Sequence, residues 1–211
     1  MSLHQQLLRR AAEKRPIRVG LIGAGKFGSM YLAQIPRTPG VHLVAIADLS
    51  PDAARGNLAR VGWSDERTRA PGIDQAVESG ATHVGDDWRA LVSHPAIDIV
   101  VECTGSPATI AQAITGSAPG SIVCLTGLGG AQHAATFDVA TLNQSMVLEN
   151  RVVFGTVNAN LRHYHAAARA LARADRAWLE RVITRRVPLD EWREAYEKRD
   201  GDVKTVLVFE D

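Results

Sequence analysis

Ile17-Arg18-Val19-Gly20-Leu21-Ile22-Gly23-Ala24-Gly25-Lys26-Phe27-Gly28 decides how this chain is read. An apolar run suited to a buried parallel strand breaks into three glycines spaced G-x-G-x-x-G. Helical apolar spacing then follows through Met30, Tyr31, Leu32 and Ile35. That succession opens a βαβ unit of the kind that binds a dinucleotide. Gly23 permits the tight turn, Gly25 lets the backbone approach a pyrophosphate, and Gly28 lets helix and strand pack closely. Lys26 and Phe27 stand in the first helical turn, whose free N–H groups and dipole favour the pyrophosphate charge.

Val41 to Ala47 is a second apolar strand, ending in Asp48 and Leu49, with Asp48 twenty residues beyond Gly28. A carboxylate there can accept both hydroxyls of an adenine ribose and would repel the extra phosphate of NADP, so NAD is the expected cofactor. Arg55, one or two helical turns on, is the residue that could oppose that preference. The plainer alternative is a glycine turn in an unrelated α/β protein, with Asp48 capping the next helix.

With 211 residues the chain has room for one full α/β domain and is short for the two that most dehydrogenases need. Twenty-four basic residues stand against 23 acidic ones, which gives no electrostatic case for nucleic acid or a membrane surface. Nothing approaches the run of about eighteen apolar residues that spans a bilayer. The leader Met1 to Arg15 lacks the apolar core of a secretory signal; its arginines would suit an organelle transit peptide, but Glu13 and the spacing of Leu3, Leu7 and Leu8 fit a short amphipathic helix better, and with the two cysteines a cytoplasmic location is expected. Cys103 and Cys124, the two cysteines, fall in predicted buried strands and read as reduced core thiols.

Ser50-Pro51-Asp52 starts a helix through Arg60, with Ser50 as N-cap and proline at the first position. Gly62 to Gly72 is a loop in which Trp63 is a packed anchor rather than a lid. A short helix over Ile73 to Ser79 stops at Gly80, Thr82-His83-Val84 is a brief third strand, and Asp86 or Asp87 caps the helix of Trp88, Leu91 and Val92. Ile97 to Cys103 reads as a fourth strand buried on both faces, ending in Thr104-Gly105. Ser106-Pro107 opens a helix through Ile114, and a fifth strand, Ser121 to Leu125, ends in Thr126-Gly127-Leu128. In a doubly wound sheet, ligands sit beyond the carboxyl ends of the strands. The small residues after strands one, four and five would therefore surround one crevice. Phe137 to Leu148 is helical, Val152 to Val157 is a sixth strand, and Asn158-Ala159-Asn160 follows at its carboxyl end. The amide side chains there could hydrogen-bond a nicotinamide carboxamide or ribose, or cap the helix running from Leu161 to Arg173. Helical character continues from Ala174 to Arg181, Pro188 starts a further helix, and Val203 to Phe209 is a last strand.

Two family resemblances follow from these words. Arg18 to Gly28 and Ile46-Ala47-Asp48-Leu49 resemble the cofactor domain of homoserine-dehydrogenase-like oxidoreductases. His94 to Val100 is similar to the glucose-fructose oxidoreductase type, but Thr126-Gly127-Leu128 stands where that type has Glu-Lys-Pro, so its catalytic lysine is not carried over. From about Asp98 onward the chain resembles the C-terminal half of medium-chain glucose 1-dehydrogenases. The matching words are Met146 to Asn150, Gly155 to Asn160, Ile183 to Leu189 and Asp202 to Val206. That resemblance implies that Thr104, Thr126, Gly127, Leu128, Thr156, Asn158 and Asn160 face the nicotinamide half of the cofactor. Two likenesses meeting near strand four suggest a recombination of two cofactor domains. One family spanning both halves would refute that.

The expected architecture is α/β: a helix over 1–16, a six-stranded, doubly wound parallel sheet of Rossmann type over 17–160, and helices and a strand over 161–211 packed on it. Gly23, Gly25, Lys26, Phe27, Gly28, Asp48, Leu49, Thr104, Gly105, Thr126, Gly127, Leu128, Thr156 and Asn158 are the expected cofactor contacts. Medium-chain dehydrogenases hold a catalytic zinc in a domain before the glycine loop. Sixteen residues precede Ile17 and no Cys/His cluster has ligand spacing, so no metal site is expected. His163 and His165 point about 200° apart on a helix and cannot share a metal. No catalytic residue is assigned; for Lys26, His133 and His163, solvated surface is the first interpretation. The expected activity is hydride transfer between a nicotinamide cofactor and a small molecule, a sugar or aldehyde. The alternatives are a homoserine-dehydrogenase-like oxidoreductase and a cofactor-binding module without turnover. A homo-oligomer is expected, since an absent partner domain would leave apolar surface to cover.

Overall fold

The structure, a computed structural model, describes residues 3–129, 136–156, 158–197 and 199–209. The chain divides into two units, Met1–Val157 and Asn158–Asp211. The first begins with the amphipathic helix α1 (Leu3–Ala12) and then alternates strand and helix: β1 (Ile17–Ile22), α2 (Lys26–Gln34), β2 (Val41–Ala47) and α3 (Pro51–Arg60). It continues through α4 (Ile73–Ser79), β3 (His83–Gly85), α5 (Trp88–Ser93), β4 (Ile99–Glu102), α6 (Pro107–Gly116), β5 (Ile122–Leu125), α7 (Val139–Leu148) and β6 (Val152–Gly155). The six strands lie in the order β3-β2-β1-β4-β5-β6, every pair parallel. This is the doubly wound sheet expected from the sequence. Strand order reverses between β1 and β4; in sheets of this kind ligands bind beyond the carboxyl ends of such a strand pair.

Local chemistry sets the helix starts. Ser50 Oγ accepts the Ala53 N–H with Pro51 in the first turn of α3. Of the two candidate caps before α5 it is Asp87, not Asp86, that accepts the Ala90 N–H, at 2.9 Å. Asp138 caps α7 through the N–H groups of Ala140 and Thr141, which moves its start from the expected Phe137 to Val139. β4 is shorter than expected: Asp98 is used outside the strand to accept the Arg18 N–H at 2.8 Å. Cys103 falls just past its end, half-buried rather than within it.

Two apolar layers cover the sheet. On one face Val19, Leu21, Ile46 and Val101 pack with Leu32 of α2, Leu58 of α3 and Trp63. On the other, Ile22, Ala45, Ala47, Val100 and Val123 pack with Leu91 and Val92 of α5 and Ala113 of α6. Burying each such Leu or Ile contributes about 1.5–3 kcal/mol, so alternation along one strand supplies both cores at once. Trp63 is the packed anchor expected: it is buried, and its Nε1 donates to the Leu32 carbonyl at 2.9 Å. Trp63→Phe should keep most of the apolar contact but leave that carbonyl unpaired. A loss of about 1–2 kcal/mol is expected, read as a lower urea midpoint at unchanged slope.

The second unit contains α8 (Leu161–Ala172), α9 (Arg176–Val182), β7 (Ile183–Pro188), a 3-10 helix over Leu189–Tyr196 and β8 (Lys204–Val208), with β7 and β8 parallel. Three expectations are corrected here. The helical run after Leu161 breaks before α9, where Asp175 accepts the Ala177 N–H and recaps the chain. Pro188 ends a strand instead of starting an α-helix, and the turns after it are 3-10, kinked at Glu191. β7 was not expected at all, because its arginines disguise it. Arg185 lies inward, donating to the carbonyls of Glu194 at 2.9 Å and Glu197 at 2.7 Å and pairing with Asp202 at 2.9 Å. Among the described residues no helix is long and apolar enough to cross a membrane.

Candidate cofactor-binding site

The three glycines of the first turn have different surroundings. Gly23 has φ +89°, a left-handed conformation that favours glycine, and an added Cβ would lie 2.8 Å from Thr104 Cγ2. At Gly28 an added Cβ would fall 2.3 Å from the Gly23 carbonyl oxygen, so only glycine lets α2 close onto the turn. At Gly25 an added Cβ would meet nothing within 4 Å. The protein itself makes no demand for glycine there, and the open space is on the outside, where a pyrophosphate would lie. Gly25 is also the N-cap of α2 and offers no side-chain cap, so the N–H groups of the first helical turn stay available to an anion. These features fit a dinucleotide. Phe27 is exposed on this turn; Lys26 opens α2, with its side chain outside the described residues.

The turn is braced from β2 and α3. Asp48 Oδ2 accepts the Ala24 N–H at 2.8 Å, and Oδ1 accepts the Ser50 N–H at 3.0 Å. Each oxygen keeps further acceptor capacity, so the carboxylate can still receive ribose hydroxyls. Asn57 Nδ2 donates to the Ala24 carbonyl at 2.9 Å, and the Ala24 peptide is thereby held on both sides. Arg55 is occupied elsewhere: its guanidinium donates to the carbonyls of Thr68 at 2.9 Å and Val84 at 3.0 Å. Leu49, next to Asp48, is 96% exposed, which leaves an apolar surface at the rim.

Beyond β4 and β5 the two turns pack backbone to backbone. An added Cβ at Gly127 would fall 2.2 Å from the Gly105 nitrogen, and one at Gly105 would fall 2.5 Å from Gly129. The glycines expected to leave room for a cofactor thus first make room for each other. Thr104 is exposed beside the Gly23 turn, Leu128 is exposed, and Thr156 lies exposed just past β6. Asn158 begins the second unit. Asn160 is a helix cap: it and His163 form a reciprocal capping box at the start of α8, which gives His163 a structural task. His133 lies outside the described residues.

Glu102 and Asn57 were missed in the sequence. Glu102 is fully buried at the end of β4, where its carboxylate accepts the N–H groups of Thr104 at 2.8 Å and Gly105 at 3.2 Å and also the Thr104 hydroxyl. A lone carboxylate closing an apolar strand was the available signal. Cys103 and Cys124 are free thiols. Burial pushes the Cys103 thiol up to about 11, against a lesser opposing pull from its hydrogen bond to Thr126, and burial raises Cys124 as well. Neither is an activated nucleophile. Among the described residues no group of three His, Cys, Asp or Glu side chains could hold a metal ion.

The family model described as glucose dehydrogenase C-terminus matches residues 4–209. Glucose 1-dehydrogenase 1 of Caldivirga maquilingensis is 31% identical over 201 residues, 92% of this chain and 51% of that protein. Glucose 1-dehydrogenase 2 of Vulcanisaeta moutnovskia is 32% identical over 193 residues, 89% of this chain and 49% of that protein. The chain thus spans about half the length of the curated relatives it matches. Haloferax mediterranei glucose dehydrogenase in complex with NADP, Zn and gluconolactone superposes with TM-score 0.50 at 25% identity, over 98% of this chain and 56% of that one. An alcohol dehydrogenase of Thermotoga maritima, at TM-score 0.54 and 19% identity over 98% of this chain and 55% of that one, shares the fold. The family match runs unbroken across strand four, so the suggested junction between two ancestries is withdrawn. The homoserine-type words were those that any βαβ turn followed by an acidic strand end would carry. From the amphipathic first helix to the final strand, this chain belongs to the glucose dehydrogenase C-terminus family.

Proposed function

We propose that this chain is the cofactor-binding part of an NAD-dependent dehydrogenase acting on a sugar or related aldehyde, with glucose the first candidate. The observation that carries the proposal is the open space at Gly25 over an uncapped helix start, beside the Asp48 carboxylate, in a chain of the glucose dehydrogenase family. The first turn of α2, with Gly23, Gly25, Lys26, Phe27 and Gly28, would hold the pyrophosphate through main-chain N–H groups. Asp48 would accept the adenine ribose hydroxyls, with Leu49 against the adenine edge. Thr104, Gly105, Thr126, Gly127, Leu128 and Thr156 would border the nicotinamide half. When bound, nicotinamide supplies the hydride acceptor or donor, and the protein orients it and excludes water. The free thiols suit a reducing compartment, and we assign the cytoplasm.

The preference for NAD rests on two side chains. Asp48 would meet the 2′-phosphate of NADP with like charge, and Arg55 is tied to two carbonyls and is not positioned to offset it. Calorimetry should show NAD binding at least about fivefold tighter than NADP, since a like-charge contact costs upwards of about 1 kcal/mol. Asp48→Ser should lose most of that difference. Equal affinity in the wild type would overturn the preference, and no heat with either nucleotide at millimolar concentration would overturn the cofactor assignment. NADH formation with glucose, galactose or an aldehyde panel supports the dehydrogenase. Tight binding without turnover would point instead to a cofactor-binding module of an assembly.

A further inference from the structure

Glu102 presents a physical problem that the fold alone does not explain. It ends β4, whose other members Ile99, Val100 and Val101 are apolar, and it is fully buried. Among the described residues no lysine, arginine or histidine forms an ion pair with it. A buried carboxylate without a cation is costly unless hydrogen bonds replace the lost water. A valine would serve the core without that cost.

What the carboxylate does instead is organise the crevice floor. Oε1 accepts the Thr104 N–H at 2.8 Å and the Thr104 hydroxyl, and Oε2 accepts the Gly105 N–H at 3.2 Å. The main-chain carbonyl of the same residue accepts the N–H groups of Thr126 at 2.9 Å and Gly127 at 3.0 Å, and the Thr126 hydroxyl at 2.8 Å. One residue therefore ties the turns after β4 and β5 together. The Thr104 proton is committed to Glu102, and one of its oxygen lone pairs takes the Ser106 N–H at 3.0 Å. What remains of that hydroxyl is a single acceptor lone pair, on an exposed residue that abuts the Gly23 turn.

We propose that Glu102 is a positioning residue that holds the Thr104 hydroxyl as a hydrogen-bond acceptor for an N–H or O–H donor on the nicotinamide half of the dinucleotide. This rests on the cofactor assignment made above. Asp48 serves the adenine half, so the two carboxylates divide the crevice: one is presented to ligand hydroxyls, the other acts through a threonine.

Glu102→Gln is nearly isosteric but replaces one acceptor oxygen with an amide donor, so it cannot satisfy all three donors of the turn: either the Gly105 N–H or the Thr104 hydroxyl loses its acceptor, and the turn that holds Thr104 in place is released. Calorimetry with the full chain, using NAD and ADP as separate probes, reads the consequence. NAD affinity should fall about tenfold, the equivalent of one hydrogen bond, while ADP affinity stays within about twofold. Thr104→Val, which removes only the hydroxyl, should show the same selective loss and covers the case of a poorly folded glutamine variant. The double variant should lose little more than either single one. Equal losses for NAD and ADP, or additive losses in the double variant, would overturn the assignment. So would unchanged NAD binding by Thr104→Val. Wild-type protein that binds neither probe would overturn the cofactor assignment together with it; wild-type binding with unaffected variants overturns the role of Glu102 alone.

Discussion

Gly28→Val is expected to cost the first unit about 3 kcal/mol or more, through overpacking against a neighbour that cannot yield. The Cβ alone would stand 2.3 Å from the Gly23 carbonyl oxygen and 3.2 Å from its carbon. Both are backbone atoms, and the same residue is held to the sheet by its N–H, which donates to the Ala47 carbonyl at 2.8 Å. Relief would need α2 to lift away from β1 and withdraw Leu32 from the core that it shares with Leu21 and Trp63. A drop of roughly 10 °C in melting temperature should accompany the change at this chain length. An unchanged melt would show that α2 does not close on the turn.

Gly25→Ala is expected to do the opposite: leave the fold alone and weaken cofactor binding. Gly25 has φ −69° and ψ −159°, which alanine adopts freely, and its added Cβ would meet no protein atom within 4 Å. Melting should therefore stay within the roughly 0.5 kcal/mol usual for surface changes. The methyl group would occupy the space assigned to the pyrophosphate. Losing one main-chain N–H bond to the charged pyrophosphate, about 1.5–3 kcal/mol, should cost on the order of 10- to 100-fold in NAD affinity. Retained affinity with an unchanged melt would place the pyrophosphate elsewhere. Together the two glycines separate stability from binding within one four-residue turn.

The first βαβ unit was legible because its signals are local. A strand, a turn that needs glycine, a helix and an acidic strand end all fall within about thirty residues, and each has its own chemical reason. Capping was legible for the same reason at Ser50, where a hydroxyl and a following proline leave little choice. Asp86 and Asp87 were equivalent on paper, and only the path of the chain into α5 selected Asp87. β7 was hidden because Arg185 and Arg186 give it the look of a solvated segment. The guanidinium of Arg185 is drawn in by Asp202 and two carbonyls brought near from later in the chain.

The crevice floor was half visible. Thr104, Gly105, Thr126 and Gly127 stood out as small residues after strands. Their mutual packing did not, because the fit of one turn against another depends on the parallel pairing of β4 with β5. Arg55 shows the same limit from the other side: near Asp48 in sequence it looked free to meet a phosphate, and its actual partners lie at Thr68 and Val84.

By itself the amino-acid sequence determined the alternation of strands and helices, the glycine turn and the carboxylate that follows it, since periodicity, turn geometry and helix capping act between near neighbours. The tertiary structure alone decided that Gly25 opens outward, that Arg55 is already engaged and that Glu102 is buried beneath two turns. Those facts depend on which distant groups a side chain meets, and only strand order and sheet packing bring such groups together.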